Sequence, residues 1–596
     1  MAFQTITHRA DLCVVGGGLA GMCTAIAAAR GGSKVVLVHD RPVLGGNASS
    51  EIRMWISGAS GSNNRETGIV EEIELTSLWR NPDKLYAIWD GILYEKVKFE
   101  ENITLLLNCS VCDAEMKDNS IASVTGWQTT TQRWHTVHAS YFADCSGDSV
   151  LAPLSGAKYR VGREAASEFG EDIPREEPDN KTMGMSCLIQ LRKISRPSKY
   201  IAPSWATKIP KEILEFRKPF VKAVGENFCF LELGGTRDSI HDTEEIRDEL
   251  VALAYGWLDE IKNGGYVPDA DYWELDWMGF LPGKRESRRM IGEYILTRND
   301  ILTGGMFPDT VAYGGWPLDD HYPEGFYHIG GLNSNEDVPS PYGIPYRVLY
   351  SVNVSNLFFA GRNISVTHYA MSSTRVMATC ALLGEAVGTA ANICREFSLT
   401  PRGVYQEKIH LLQQRLMENG CFLPYLRRDI PEVCQKAKLT CDGNSPANLE
   451  NLRNGIDRNN HTYGDEDYRV ALSLGKSVTY HFPAPTKVSN IHLQFDTDLD
   501  RETLPGDYVE RCRSMRANRK PESPATHLPK TLVKGYKLIA ITETGEQIII
   551  AETDNNILGC LNHSVPNGLY ASIAFIPTET WAENDTEARI FSFDFR

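Results

Sequence analysis

The stretch CVVGGGLAG occupies residues 13–21 and decides the fold of the first part of the chain. It follows the apolar run ADLCVV (10–15) and overlaps LAGMCTAIAAAR (19–30), an alanine-rich sequence typical of a helix. A second apolar run, KVVLVH, covers residues 34–39. A strand, a glycine turn, a helix and a strand in this order predict a βαβ unit that binds a dinucleotide.

Each glycine of the GxGxxG pattern has a physical task. Gly16 allows the tight turn, Gly18 lets the backbone approach a phosphate, and Gly21 lets the helix pack closely on the strand. The helix begins near Leu19 and Ala20, where unpaired N–H groups and a partial positive charge face the pyrophosphate. This pattern alone leaves NAD and FAD as alternatives.

The end of the second strand departs from the usual pattern. A dinucleotide site of this kind expects an acidic residue there, to bind a ribose hydroxyl. The strand here ends in His39-Asp40, and Arg41 follows. We therefore expect either His39 or Asp40 to make the ribose contact.

Three further segments favour FAD over NAD. DRPVLGGNASSEIRMW (40–55) places a glycine pair shortly after the acidic position, and HASYFADCSGDSVLAPLSGA (138–157) contains a strand followed by a Ser-Gly-Asp turn. About 300 residues after the first segment, 353–392 contains a strand, the turn AGR and an alanine-rich helix with Gly384 and Gly388 as close-packing positions. Several cofactor segments in this order are stronger evidence than one glycine motif.

These segments resemble the FAD-dependent oxidoreductase family, with a fold of the glutathione-reductase type and a distant similarity to fumarate-reductase flavoproteins. The resemblance covers roughly residues 8–425 and implies bound FAD and redox chemistry. The cofactor-binding residues that it predicts are Gly16, Gly18, Leu19, Ala20, Gly21, His39, Asp40, Arg41, Gly45, Gly46, Asn47, Ser50, Arg53, Val111, Ser146, Gly147, Asp148, Gly361, Arg362, Ser373 and Thr374.

The chain of 596 residues is too long for one hydrophobic core. We predict an α/β protein with a Rossmann-like FAD-binding domain, an inserted α+β substrate domain and a C-terminal β-sandwich. The predicted boundaries are 1–160 and 346–425 for the FAD-binding domain, 161–345 for the insert, 426–445 for a linker and 446–596 for the sandwich. The tail 446–596 resembles galactose-binding-like sandwiches, and the basic stretch 515–530 is predicted to be a loop within it.

Candidate catalytic residues lie near the predicted flavin. Hydride transfer needs a group that handles the accompanying proton. His368 lies shortly after Gly361, and His321 lies in the polar run GWPLDDH. Arg288, within the run RESRR at 285–289, is a third candidate because an arginine can bind an anion or donate a proton, as in fumarate-type enzymes.

Charge and composition exclude several partners. The net charge of −16 disfavours binding to nucleic acid, and no apolar run suggests a membrane span. The CxxC pair Cys109 and Cys112 lacks the further ligands of a metal site, so no metal is predicted. No signal peptide is visible, which indicates a cytoplasmic location; a periplasmic location stays an alternative if a leader has been removed.

The leading functional hypothesis is FAD-dependent oxidation of an alcohol carbon in a polar small molecule. A sugar or glycoside is suggested by the aromatic residues Trp257, Trp273 and Trp277 and by the sandwich. The alternatives are reduction of an activated C=C bond and carbohydrate binding on a redox-inactive flavin scaffold. The sequence leaves the electron acceptor and the oligomeric state open.

Overall fold

The structure is a computed structural model that describes residues 3–221, 227–331, 333–443, 445–500, 503–504, 508–509 and 525–596. The chain divides into two compact units. Unit 1 consists of Met1–Ser60, Asp83–Ile409 and Thr503–Ala525, and unit 2 consists of Gly61–Pro82, His410–Glu502 and Thr526–Arg596. Within the predicted loop 515–530, residues 515–524 lie outside the described residues.

The first 160 residues contain the main sheet and its helices. In chain order they are β1 (Thr5–Val15), α1 (Leu19–Arg30), β2 (Val35–Val38), α2 (Ile69–Arg80), α3 (Tyr86–Lys98), β3 (Ile103–Leu106), β4 (Cys109–Lys117), β5 (Ser120–Gln128), β6 (Arg133–Asp144), α4 (Leu151–Ser155) and β7 (Tyr159–Arg160). Of these, α2 belongs to unit 2, which the predicted domain boundaries did not anticipate.

The inserted region and the return to the main sheet follow. They contain α5 (Ala166–Phe169), β8 (Met185–Ser186), β9 (Ile189–Lys193), α6 (Lys211–Phe216), β10 (Glu232–Leu233), α7 (Thr243–Asn263), β11 (Trp273–Met278), β12 (Gly283–Lys284), β13 (Arg289–Met290), α8 (Arg298–Leu302), β14 (Thr310–Gly314), β15 (Leu318–His321), β16 (Asn333–Glu336), β17 (Tyr342–Pro345), β18 (Leu357–Phe359), α9 (His368–Thr374), α10 (Met377–Phe397) and α11 (Pro401–Glu418).

The main sheet of unit 1 has the order β3-β2-β1-β6-β5-β4, and β18 also pairs with β6. The strands β3, β2, β1, β6 and β18 are parallel, whereas β4, β5 and β6 form an antiparallel meander. The buried residues of β1 and β2 are nearly all aliphatic, as expected for parallel strands covered on both faces. The predicted Rossmann-like domain is confirmed.

The helices α1 and α10 pack closely because small residues separate them. A Cβ on Gly384 would lie 2.1 Å from the carbonyl oxygen of Ala20, and one on Gly388 would lie 2.3 Å from that of Thr24. Helix α10 is also apolar and long enough to span a membrane, but 94% of its most apolar stretch is buried inside the protein. Among the described residues it is the one such helix, and its burial is that of a core helix.

The insert combines short antiparallel strand pairs with the long helix α7, in agreement with the predicted α+β domain. Its core gathers around Trp257, Trp273 and Phe326, which are all buried. Trp257 and Trp273 are therefore unavailable to stack on a ligand, contrary to the argument for a sugar site. Trp277 is half-buried and remains accessible.

Unit 2 contains two antiparallel sheets, as predicted for a β-sandwich. Their orders are β19-β21-β28-β25-β26 and β20-β29-β22-β27. The elements of unit 2 after α11 are α12 (Glu432–Lys436), β19 (Lys438–Cys441), β20 (Val470–Ser473), β21 (Val478–Thr486), β22 (Asn490–Phe495), β25 (Val533–Thr542), β26 (Gln547–Thr553), β27 (Cys560–Ser564), β28 (Tyr570–Thr580) and β29 (Glu587–Phe595). The short strands β23 (Thr503–Leu504) and β24 (Tyr508–Val509) pair with each other and belong to unit 1. Strand β19 lies in the stretch predicted as a linker; its backbone is satisfied by pairing with β21.

Candidate functional site

The first glycine turn leaves no room for side chains. Gly16 has a φ of 105°, and a Cβ there would lie 2.3 Å from the carbonyl oxygen of Cys145. A Cβ on Gly21 would lie 1.8 Å from the carbonyl oxygen of Gly16. Both positions therefore require glycine, and the contact with Cys145 brings the turn after β6 against the turn after β1.

The loop after β2 comes against the same turn. The N–H of Gly45 donates to the carbonyl oxygen of Gly17 at 2.8 Å, and a Cβ on Gly46 would lie 3.1 Å from the Cα of Gly18. No side chain caps the N-terminus of α1, which begins at Leu19. Because the first N–H groups of a helix have no intrahelical acceptor, this uncapped end next to bare backbone fits a pyrophosphate.

His39 does not fit the predicted ribose contact, and this expectation is corrected. Its Nδ1 accepts the N–H of Gly17 at 3.0 Å, and its Nε2 donates to the carbonyl oxygen of Val43 at 3.0 Å. Burial lowers the pKa of His39 to about 4, so the ring is neutral and both nitrogens are occupied. Asp40, with a side chain 62% exposed, is the remaining candidate for a ribose hydroxyl.

Asp148 is the polar centre of the turn after β6. Its carboxylate accepts hydrogen bonds from Lys284 at 2.8 Å and Ser287 at 2.7 Å, and it also pairs with Arg362. Burial alone would raise the pKa of Asp148, but Arg362 and Lys284 lower it to about 2. Within the described part of the chain, one buried nitrogen of Arg362, Nη1, has no hydrogen-bond partner, which fits an acceptor supplied by a ligand.

The segment after β18 returns to the first turn, as predicted. Gly361 has a φ of 116°, and a Cβ there would lie 3.5 Å from the Cβ of Ala20. The predicted single helix is interrupted: α9 ends at Thr374 and α10 begins at Met377. Ser373 departs from its predicted role, because its hydroxyl already bonds the carbonyl oxygen of Trp316 and the hydroxyl of Tyr342. The buried Oγ1 of Thr374 has no hydrogen-bond partner among the residues that the structure describes.

The loop 47–55 contacts the insert as well as the cofactor turn. Asn47 donates to the carbonyl oxygen of Lys284 at 3.2 Å. Arg53 lies between the rings of Tyr86 and Trp277, with its guanidinium carbon 4.6 and 4.3 Å from their centroids. The guanidinium also donates to Gln190 at 2.7 Å. Arg53 is thus held by the insert and by α3 together.

The remaining cofactor candidates lie near the second strand. The N–H of Ser50 donates to Asp90 at 3.1 Å, and the side chain of Arg41 lies 3.8 Å from Glu51. Val111 is a buried residue of β4, two positions after Cys109, whose N–H donates to the carbonyl oxygen of His39. Among the predicted set, Ser146 bonds Asp144 and lies beside Gly16.

His368 begins α9 and is fully buried between two carboxylates. Its Nδ1 lies 2.9 Å from Glu286 and its Nε2 lies 2.8 Å from Asp320. Burial alone would lower the pKa of His368, but Glu286 and Asp320 raise it to about 9. The ring is therefore an imidazolium that donates from both nitrogens, and the acid/base role of His368 stays a prediction.

His321 has a similar environment. Its Nδ1 lies 2.6 Å from the buried carboxylate of Glu232, and its Nε2 lies 3.4 Å from Asp319. Burial opposes the charge, but Glu232 raises the pKa of His321. Both ring nitrogens thus lie beside protein carboxylates, which favour the protonated form of His321.

Arg288 lies apart from these histidines. One guanidinium nitrogen donates to the carbonyl oxygen of Asp148 at 3.3 Å, and the guanidinium carbon lies 5.4 Å from the ring centroid of Tyr159. Its neighbour Arg289 is buried and bonds Glu164 at 2.9 Å. Arg289 is thus occupied by a protein carboxylate, whereas the fumarate-type alternative needs a cation that is available to the substrate.

A charged network joins the segments on which the candidate residues lie. Its members are Glu164, Glu286, Arg289, Asp320 and His368. The N–H of His368 donates to the carboxylate of Glu164 at 2.9 Å, and the N–H of Met183 donates to Glu286 at 2.9 Å. Each of the three carboxylates lies beside at least one of the two cations, which offsets part of the cost of burying these charges.

Asp320 is the member of this network that reaches solvent. One carboxylate oxygen, Oδ1, accepts from His368, and the side chain is 11% exposed. Among the described residues, none donates a hydrogen bond to Oδ2. Burial alone would raise the pKa of Asp320, but His368 lowers it, so the carboxylate is ionised and offers one free oxygen.

Sequence reasoning missed Asp320, Glu286 and Lys284 as site residues. Glu286 lies inside the run RESRR, where the arginines drew attention, and Asp320 lies directly before His321. The adjacent acidic and basic residues in LDDH (318–321) could have indicated a charged site, but their partners lie far away in the chain. Among the described residues, no cluster of histidine, cysteine and acidic side chains could hold a metal ion.

Comparisons with known proteins agree with this geometry. Residues 11–416 match the family described as FAD dependent oxidoreductase. No curated protein sequence matches the chain.

The solved structures that resemble the chain do so weakly. A geranylgeranyl bacteriochlorophyll reductase-like protein of Thermoplasma acidophilum is 11% identical, with 70% of this chain and 85% of that chain covered and a TM-score of 0.31. A family 32 carbohydrate-binding module of EndoD from Streptococcus pneumoniae is 12% identical, with 28% and 97% covered and a TM-score of 0.20. THI4 of Thermovibrio ammonificans is 19% identical, with 26% and 66% covered and a TM-score of 0.21.

Proposed function

Because the chain belongs to the FAD dependent oxidoreductase family, we propose that it oxidises an alcohol carbon of a polar small molecule and passes the hydride to the flavin. FAD, when bound, supplies the two-electron acceptor for this step. Gly18, Gly46 and the N-terminus of α1 would hold its pyrophosphate, and Asp40 would bind a ribose hydroxyl.

The free oxygen of Asp320 is the observation that carries the proposal. Oxidation of an alcohol removes a hydride from carbon and a proton from the hydroxyl oxygen, which leaves a carbonyl group. Asp320 accepts the hydroxyl hydrogen bond and then the proton at Oδ2, while His368 holds Oδ1 and fixes the carboxylate. His368 is a positioning residue in this scheme, because both of its nitrogens are bonded to carboxylates.

Asp320 is linked to the cofactor segment through α9. His368, its partner, is the first residue of this helix and lies seven positions after Gly361. The preceding residue of β15, Asp319, pairs with Arg375, which directly follows the last residue of α9. These contacts support a role for β15 beside the bound flavin.

Reduction of an activated C=C bond has less support. That reaction requires a proton donor at the substrate and a cationic clamp for its carboxylate. The imidazolium of His368 donates to two protein carboxylates, and Arg289 is buried against Glu164. Both groups are committed to partners within the protein.

The variant Asp320→Asn tests the proposal. We expect the purified protein to be yellow and the variant to retain its FAD, because Asp320 contacts none of the cofactor turns in the described residues. Anaerobic flavin bleaching by a panel of polyols, glycosides and hydroxy acids should slow by about 100-fold or more in the variant, since general base catalysis contributes this much. Asp337→Asn, which removes an exposed carboxylate, is the control.

Three outcomes would contradict the proposal. A colourless protein that takes up no FAD would favour the redox-inactive scaffold. Bleaching of Asp320→Asn at the parent rate would reject Asp320 as the base. Oxidation of pre-reduced flavin by unsaturated acids, with no bleaching by any alcohol, would favour C=C reduction.

A further inference from the structure

Arg175 differs from the other arginines around the charged network. It is half-buried, and its Nη1 donates to the main-chain carbonyl oxygen of Glu164 at 3.1 Å. Four other arginines of this region have carboxylate partners: Arg163 with Asp179, Arg289 with Glu164, Arg298 with Glu336 and Arg375 with Asp319. Among the residues that the structure describes, no carboxylate lies within 4.0 Å of the Arg175 guanidinium.

The contacts of Arg175 tie it to the site of the proposed base. Glu164 accepts from Arg175 with its main-chain oxygen and from the N–H of His368 with its carboxylate, at 3.1 and 2.9 Å. His368 in turn holds Asp320 at 2.8 Å. Arg175 and Asp320 are therefore connected through the same two residues.

The electrostatic environment supports this proximity. Burial lowers the pKa of Arg175, as does the neighbouring charge of Arg163, whereas Asp179, Asp320 and Tyr369 oppose the shift. The positive charge of Arg175 also acts on the half-buried Tyr369: burial raises the pKa of Tyr369, and Arg175 opposes this rise. A partly desolvated guanidinium without a carboxylate partner gains more from an anion than an exposed one does.

We propose that Arg175 binds an anionic oxygen group of the substrate, so that the substrate is a hydroxylated acid whose reacting hydroxyl meets Asp320. This inference rests on the proposed function and narrows it from polar alcohols to anionic ones. A planar guanidinium suits carboxylate and phosphate equally, because each presents two oxygens to two N–H groups. Sugar acids and sugar phosphates are the two sources of this chemistry.

A substrate panel tests the inference directly. The probes are D-gluconate, D-glucuronate and D-glucose 6-phosphate, compared with neutral D-glucose and sorbitol, each used to bleach the flavin of the full chain anaerobically. We expect bleaching by one charged class, with a KM at least tenfold below that of its neutral counterpart. Equal KM values for charged and neutral compounds would overturn the inference while leaving the proposed function intact.

Variants separate the two proposals. Arg175→Gln should raise the KM for the acidic probe about 10- to 100-fold with kcat within about threefold, because one charge-assisted contact is lost. Arg175→Lys should recover part of the loss, and Arg196→Gln, which removes an exposed arginine, should change nothing. FAD content and the temperature of flavin release, measured for every variant, should equal those of the parent.

An unchanged KM in Arg175→Gln would reject the anion site, even if Asp320→Asn shows its expected loss of kcat. A protein that binds FAD and bleaches with none of the alcohols would contradict the proposed function, and the anion site would fall with it.

Discussion

The cofactor turn and the charged network both join distant parts of the chain, but they do so by opposite means. The turn depends on missing side chains: Gly16 and Gly21 allow backbone contacts that any Cβ would block. The network depends on charged side chains that pair with one another, as His368 does with Glu286 and Asp320. We therefore expect the turn to tolerate no added atom and the network to tolerate no lost charge.

The largest effect is expected from His368→Leu. The substitution leaves Glu286 and Asp320 buried without their shared cation, and breaking a buried ion pair costs about 3–5 kcal/mol. The measurement is the urea unfolding of unit 1 at pH 7, with the release of flavin as the signal. His241→Leu is the control, because His241 is an exposed histidine paired with Asp238. An equal loss in both variants would show that the network does not stabilise the fold.

A similar but smaller loss is expected from Gly21→Ala. The new methyl group would lie 1.8 Å from the carbonyl oxygen of Gly16, so either α1 or the turn must move, at a cost of roughly 3 kcal/mol. We expect the variant to be purified with little or no FAD, as measured by absorbance at the flavin bands.

Gly91→Ala is the matched control for that variant. Gly91 lies within α3, and a Cβ there meets nothing within 4 Å. Alanine at this position should stabilise the helix by about 1 kcal/mol and leave the FAD content unchanged. Normal FAD binding by Gly21→Ala would contradict the tight contact at the turn.

The difference between the cofactor turn and the charged network also explains which of the two could be predicted from the sequence. The spacing of Gly16, Gly18 and Gly21 between two apolar runs is local, so it predicts the βαβ unit and the pyrophosphate site. The same holds for Gly361, where a strand and a glycine turn are adjacent in the chain. In both cases the residues that determine the backbone geometry are adjacent in the chain, so they can be recognised without knowing the fold.

The charged network could not be predicted in this way. His368 is 82 residues from Glu286 and 48 residues from Asp320, and nothing in the local pattern of any of them indicates the others. The sequence alone could therefore not show that His368 lies between two carboxylates, which hold its ring as a cation. His39 shows the same limit, since Gly17 and Val43 occupy both of its nitrogens.

The network should also make stability depend on pH. The pKa of His368 is about 9 in the folded protein, above the ordinary value of 6.5, so the folded state binds this proton more tightly. This stabilisation is fully present below pH 6.5 and is lost as the pH rises through 9. Unfolding between pH 7 and pH 10 should show a loss of roughly 2 kcal/mol in the parent.

His368→Leu should lack this part of the pH dependence. The depressed pKa values of Glu286 and Asp320 act in the other direction, because their contribution is lost only as the pH falls below the ordinary carboxylate range. A parent protein as stable at pH 10 as at pH 7 would contradict the imidazolium assignment.

The smallest expected effect concerns the ribose contact at the edge of the cofactor turn. Asp40→Ala removes one exposed carboxylate, so we expect FAD affinity to fall about 3- to 10-fold, the equivalent of one hydrogen bond, with no change in the unfolding of the FAD-free protein. Isothermal titration of the FAD-free protein measures this change, and Asp172→Ala, another exposed aspartate, is the control. An unchanged affinity would mean that the backbone of the glycine turn alone holds this end of FAD, because the ring nitrogens of His39 are already bonded within the protein.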